Sequence, residues 1–134
     1  MSQAFSLHSR LAADTFLVDD WSYSRVLLMN DMRFPWLVLV PRVPGLRDFD
    51  DVGNADKSVF LQEIDRASQI LRAHVSAEKM NVAALGNMVP QLHVHIVARF
   101  AADPAWPAPV WGVGQAVPYA PEKAAELIEA LKAY

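Results

Sequence analysis

Apolar side chains recur along this chain in segments of distinct period. Residues 6–14 put Leu7 and Leu11 one turn apart behind Ser6 as N-cap, which predicts a short helix with His8 on its polar, surface side. Residues 15–18 and 25–29 read as strands joined by a polar connection. Residues 36–40 are apolar at every position, which predicts a strand covered on both faces, and Pro41 and Pro44 fall where ladder donors are no longer needed. After a polar loop, Phe60, Ile64, Ala67, Leu71 and Val75 form one stripe along a long helix over 56–75, with His74 beside the stripe near its C-terminus. Residues 79–85 predict a further strand, and Gly86 to Pro90 turns the chain into alternating residues 91–97, forming a hairpin. A segment bearing Pro and Trp follows over 101–119, and Pro121 opens a last helix whose stripe is Ala124, Leu127, Ile128 and Leu131. This order of elements predicts an α+β fold with a mostly antiparallel sheet.

Length and composition narrow the picture. At 134 residues the chain fits one domain over 1–134, with no repeat or linker. A hydrophobic content of 53% and a charged content of 20% describe a globular protein. The net charge of −3 argues against a general nucleic-acid partner. With no cysteine there are no disulfides and no thiol chemistry. The first residues lack a basic stretch followed by an apolar one, and the longest apolar run is far short of the ~20 residues of a membrane span. The expectation is a soluble, cytoplasmic protein with no membrane partner. Asp48, Asp50 and Asp51 lack calcium-loop spacing and read as a solvated loop.

The candidate chemistry lies in Gln91-Leu92-His93-Val94-His95-Ile96-Val97. On a strand, Gln91, His93 and His95 share one face, and Leu92, Val94 and Ile96 share the other. Three readings of the two imidazoles compete. They are structural histidines satisfied by hydrogen bonds, or metal ligands, or a nucleophile with a neighbour that orients it and stabilises charge. The metal reading needs further ligands, and His8 and His74 both fall in predicted helices. The turn at 30–33 carries Asn30, an amide that can both donate and accept. A turn-forming Asn bonded to its own backbone is equally compatible with that position.

The 91–97 segment resembles the motif of the histidine triad (HIT) family of nucleotide hydrolases and transferases, His-φ-His-φ-His-φ-φ with φ apolar, with Gln91 in place of the first His. The likeness covers roughly residues 5–106, and residues 104–134 form the tail and last helix. It implies a HIT-like fold: a five-stranded, mostly antiparallel sheet with one long central helix and short flanking helices, in a homodimer whose two sheets become continuous. It implies that His93 is the nucleophile, that His95 binds phosphate and stabilises its charge, and that Asn30 holds the ribose hydroxyls. Many members carry a longer Gly-rich loop before the motif; here Asn87 and Gln91 are the polar side chains left to contact substrate. Arg99, two pleats beyond His95, is a weaker phosphate candidate. Trp106 and Trp111 either cover a core, this subunit's or a partner's, or border the nucleotide pocket. The activity implied is hydrolysis or nucleotidyl transfer at the α-phosphate of a nucleotide, such as a dinucleoside polyphosphate or nucleoside phosphoramidate. It runs through a nucleotidyl-His93 intermediate and needs no metal or other cofactor. Two alternatives stay open: a metal-dependent hydrolase using His93 and His95 as ligands, and a non-catalytic nucleotide-binding or interaction protein.

Overall fold

The computed structural model of the chain describes residues 4–134. Five strands form a single antiparallel sheet: β1 (Thr15–Asp20), β2 (Ser24–Met29), β3 (Trp36–Pro41), β4 (Lys79–Ala83) and β5 (Val94–Arg99). Their spatial order is β1-β2-β3-β5-β4, so β3 and β5 lie inside and β1 and β4 form the edges. The helices are α1 (Ser9–Asp14), α2 (Lys57–Val75) and α3 (Pro121–Lys132). The expected α+β class and the five-stranded antiparallel sheet with its long helix are present. Among the described residues no helix is long and apolar enough to cross a membrane.

The sheet has two covered faces because its central strands are apolar in both phases of the pleat. All six residues of β3 are buried, as its unbroken apolar run requires. On one face Leu37, Leu39, Val94 and Ile96 meet α2 through Phe60, Ala67 and Leu71. Each such side chain contributes roughly 1.5–3 kcal/mol on full burial. On the other face Trp36, Val38, Val40 and Val97 pack with Leu11, Ala105 and Val110. The 101–119 segment therefore covers this chain's own core, and it also builds part of the candidate site.

Several boundaries differ from the pattern reading. Helix α1 begins at Ser9 and its N-cap is His8, not Ser6: the His8 ring accepts from the Arg10 N–H at 3.0 Å. Strand β4 ends at Ala83 and β5 begins at Val94, so residues 84–93 form an irregular connection rather than a tight turn. One polar residue sits unexpectedly on the buried stripe of α2. Glu63 is buried and accepts from the Tyr23 and Ser24 N–H groups at 3.0 and 2.8 Å, satisfying donors at the start of β2.

Arg99 is corrected from phosphate candidate to structural tie. It is 1% exposed, and its guanidinium binds Asp103 at 2.8 and 3.0 Å, the Asn81 side chain at 2.8 Å and the Ala108 carbonyl at 2.8 Å. The Arg99 hydrogen bonds hold the Asp103 carboxyl down at about 2, helped by the N–H groups of Phe100, Ala105 and Trp106 against the opposing effect of burial. This cluster fastens the start of the tail to β5. Arg99→Met should cost about 3–5 kcal/mol, the scale for leaving a buried charge without its partner. Urea denaturation measures that loss.

Candidate active site

His93 lies one residue before β5 and His95 is the second residue within it, so the pleat turns both rings to the same face. Their centroids are 4.8 Å apart and the rings are near perpendicular at 73°. Both are buried, at 7% and 5% exposure. The partners of their Nδ1 atoms differ in kind. His93 Nδ1 is 2.6 Å from the Gln91 carbonyl oxygen, which can only accept, so this nitrogen carries the proton. The Nε2 of neutral His93 is then a bare lone pair. His95 Nδ1 accepts from the Trp36 indole at 3.0 Å, a group that can only donate. Neutral His95 therefore carries its proton on Nε2, as a hydrogen-bond donor. One ring offers a nucleophile and its neighbour a proton donor.

Burial keeps both rings neutral. It lowers the His93 pKa from its ordinary value; the Gln91 carbonyl pulls the other way, and the His8 charge reinforces the lowering. Burial pushes His95 further, to about 3, with the nearby His93 charge acting in the same direction.

The two histidines line a cavity of about 320 Å³ with Leu11, Met29, Trp111 and the connecting residues Leu85 to Val89. Asn87 lies on this wall, and Met88 beside it is 84% exposed. Gly86 in this connection takes a positive φ, 75°, a conformation glycine adopts without steric cost. A second cavity of about 490 Å³ contains Asn30, Asp31, Arg33 and residues 110–114. Arg10, Asp14, Met29 and Trp111 line both, making one cleft with two lobes. Trp111 is the tail ring that borders it, edge-on to both Trp36 and His95. Trp106 instead lies by Arg99, outside both lobes.

The other expected site residues are distributed as follows. Asn30 faces the larger lobe, but its side-chain oxygen accepts from the Tyr119 N–H at 2.8 Å, leaving its NH₂ to face a ligand. Gln91 does not line either lobe. Its amide accepts from the His8 N–H at 2.8 Å and donates to the Ser6 carbonyl at 2.9 Å. Trp36, Arg10 and Asp14 belong to the site and carried no chemical pattern in the sequence. Only the strand register, which sets Trp36 opposite Val97 and Val38 opposite His95, brings the indole to the imidazole. Among the described residues no group of three or more His, Cys, Asp or Glu is arranged to hold a metal. His95 Nε2, already protonated, has no lone pair to offer one.

The HIT domain family model matches residues 10–102. The chain belongs to the histidine triad family, which includes hydrolases and transferases. Similar solved structures include a histidine triad protein from Bradyrhizobium japonicum, 44% identical over 98% of both chains, with a TM-score of 0.95. Another, from Marinobacter aquaeolei, is 46% identical over 98% of this chain and 96% of its own, also with a TM-score of 0.95. A third, from Sinorhizobium meliloti, is 36% identical over 96% of each, with a TM-score of 0.94. No curated protein matches significantly.

The lowered imidazole pKa values make stability depend on pH. For His95, at 6.5 unfolded and about 3 folded, the unfolded chain binds the extra proton between those values. Stability is therefore full above pH 6.5 and falls as the pH drops toward 3, by up to ~1.4 kcal/mol per unit for this one proton. His93 acts in the same direction. His95→Gln should flatten this decline between pH 6.5 and 4.5, above the carboxylate range, in urea denaturation curves; an unchanged slope would show that His95 is not held neutral.

Proposed function

We propose that the protein hydrolyses, or transfers a nucleotidyl group from, a nucleotide substrate by attack of His93 on the α-phosphorus. The observation that carries this reading is the opposed polarity of the two rings: a bare Nε2 on His93 beside a donor Nε2–H on His95. The His93 lone pair forms an N–P bond as the bond to the leaving group breaks, and the leaving group departs with the electron pair. The imidazole becomes cationic, and its Nδ1–H strengthens its bond to the Gln91 carbonyl. His95 donates to a non-bridging oxygen, stabilising charge that grows in the transition state. An amine leaving group takes up a proton from solvent as it departs; water then attacks the phosphorus, breaks the N–P bond and gives up a proton to solvent. The nucleoside monophosphate leaves, and His93 recovers its lone pair. Dinucleoside polyphosphates and nucleoside phosphoramidates both fit this chemistry. Asn87, exposed on the cleft wall, is a contact for the phosphate chain, and Asn30 donates to a ribose oxygen in the larger lobe. We also place the protein in a homodimer with continuous sheets; edge strand β4 keeps unbroken register with β5, whereas β1 is bulged between Leu17 and Asp19.

A substrate labelled at the α-phosphorus, denatured rapidly in alkali to preserve an N–P bond, should leave its label on His93. His93→Ala should abolish turnover in a folded protein, and His95→Ala should slow it by roughly 10²-fold. Activity should survive extensive chelation. Chelator-sensitive activity without label would favour a metal-dependent hydrolase, and tight nucleotide binding without turnover would favour a binding protein.

Asn30→Ala should narrow the preference for ribonucleotides over 2′-deoxy counterparts several-fold or more, since a lost hydrogen bond at a buried site costs roughly 1–3 kcal/mol. The same change frees the Tyr119 N–H, so Asn30→Asp, which can keep that contact while removing the donor, is the companion variant. An unaltered sugar preference in both would remove Asn30 from the ribose site.

A further inference from the structure

His93 precedes the first residue of β5, and so does the carbonyl that fixes its tautomer. No sheet ladder holds Gln91, and the residues before it are an irregular connection. Two other contacts do the work. The Leu92 N–H donates to the Leu46 carbonyl at 2.9 Å. The Gln91 side chain engages the N-terminal segment at two points, accepting from the His8 N–H at 2.8 Å and donating to the Ser6 carbonyl at 2.9 Å. The amide thus meets residues 6 and 8 as the peptide group of a neighbouring strand would. It suits that task because its donor and acceptor sit side by side. The two nitrogens of an imidazole diverge, so a histidine at this position could not face both groups at once.

We propose that Gln91 is a positioning residue: by clasping residues 6–8 with its side chain, it holds its own carbonyl against His93 Nδ1 and keeps Nε2 free to attack. The glutamine that departs from the motif thereby couples the N-terminal segment to the nucleophile. The same clasp anchors the start of α1, whose Arg10, Leu11 and Asp14 form one wall of the cleft. Only the kinetic test rests on the reaction proposed above; the spectroscopic one needs no substrate.

Long-range ¹H–¹⁵N correlation of the ligand-free protein should show His93 protonated at Nδ1 and bare at Nε2. Gln91→Met keeps length and bulk but removes both polar atoms, and should let the ring exchange between tautomers. His8→Pro offers a second route: the backbone φ of His8 is −54°, which proline accepts, and the substitution deletes only the N–H donated to Gln91 together with the ring. His8→Ala loses the ring but keeps that N–H, so it should retain the wild-type tautomer while His8→Pro does not. With a turned-over nucleotide, Gln91→Met should lower kcat by roughly 10- to 100-fold, the scale of misplacing a reacting group by about 1 Å. The acid limb of kcat/KM should move to lower pH as the carbonyl's support for the protonated ring is lost. A His93 tautomer unchanged in either Gln91→Met or His8→Pro overturns the proposal, as does identical behaviour of His8→Pro and His8→Ala. A shifted tautomer without measurable turnover would leave the clasp standing and refute the reaction instead.

Discussion

An imidazole can donate or accept at either nitrogen, and two of them 4.8 Å apart are interchangeable until something fixes their protons. Here a carbonyl fixes one and an indole fixes the other. Neither partner can reverse its role, so the polarity of the neutral pair follows from which groups the fold sets against each ring. That constraint reaches back through the fold. The indole meets His95 only because β3 and β5 pair with Trp36 opposite Val97, leaving His95 as its diagonal neighbour on the same face. A slip of one residue in this register would send His93 and His95 to the α2 face and place Val94 and Ile96 in the cleft.

Burial supplies the second half of the argument. Two rings this close cannot both be cationic without strong repulsion, and desolvation already keeps each of them neutral. Trp111, edge-on to His95, and the apolar wall of Leu11 and Met29 lower the local dielectric around them. In such surroundings a hydrogen bond aimed at growing charge is worth more than it would be in water. The arrangement is stable because each ring has a partner for the nitrogen it turns inward, so burial leaves no orphaned polar atom on these rings.

Periodicity revealed what depends on local order. The apolar run at 36–40 and the stripe from Phe60 to Leu71 are each fixed by side chains close in sequence, and each became the expected element; the alternation at 91–97 became a strand only from Val94 onward. The motif also put His93 and His95 on one face, which needs only the pleat. The pattern failed where a residue's role is set by distant chain. Glu63 reads as a polar interruption on a helix, yet it accepts from the N–H groups of Tyr23 and Ser24 at the start of β2. Arg99 looks like a cation on the active face, but Asp103 and Asn81 claim it. Gln91 reads as a substrate contact through its place in the motif, while its amide is committed to residues 6 and 8. No local period encodes any of these pairings.

The tail belongs to the same class of long-range feature, and it shapes what the larger lobe can recognise. Residues 108–119 are tied to the sheet by the Arg99 bond to the Ala108 carbonyl, the Arg33 bond to the Val113 carbonyl at 2.6 Å and the Met32 N–H to the Val117 carbonyl at 2.7 Å. Asp31, buried and paired with Arg33, also accepts from the Val117 N–H at 3.3 Å; burial alone would raise its pKa, but these partners hold the carboxyl ionised and lower it. Asp31 and Arg33 therefore spend their charges on each other and on the tail, which leaves the lobe without an uncommitted charge from this turn. Asn30 commits one lone pair of its carbonyl oxygen to the Tyr119 N–H. The Asn30 NH₂ is the donor this turn still offers a ligand, and it suits a group that presents an oxygen or nitrogen lone pair. A ribose hydroxyl meets that condition through its oxygen, and must send its own proton elsewhere. In the reading proposed above, the carboxylate of Asp14, which lines both lobes and is bound on one oxygen by Arg10, is an acceptor within the cleft for that proton.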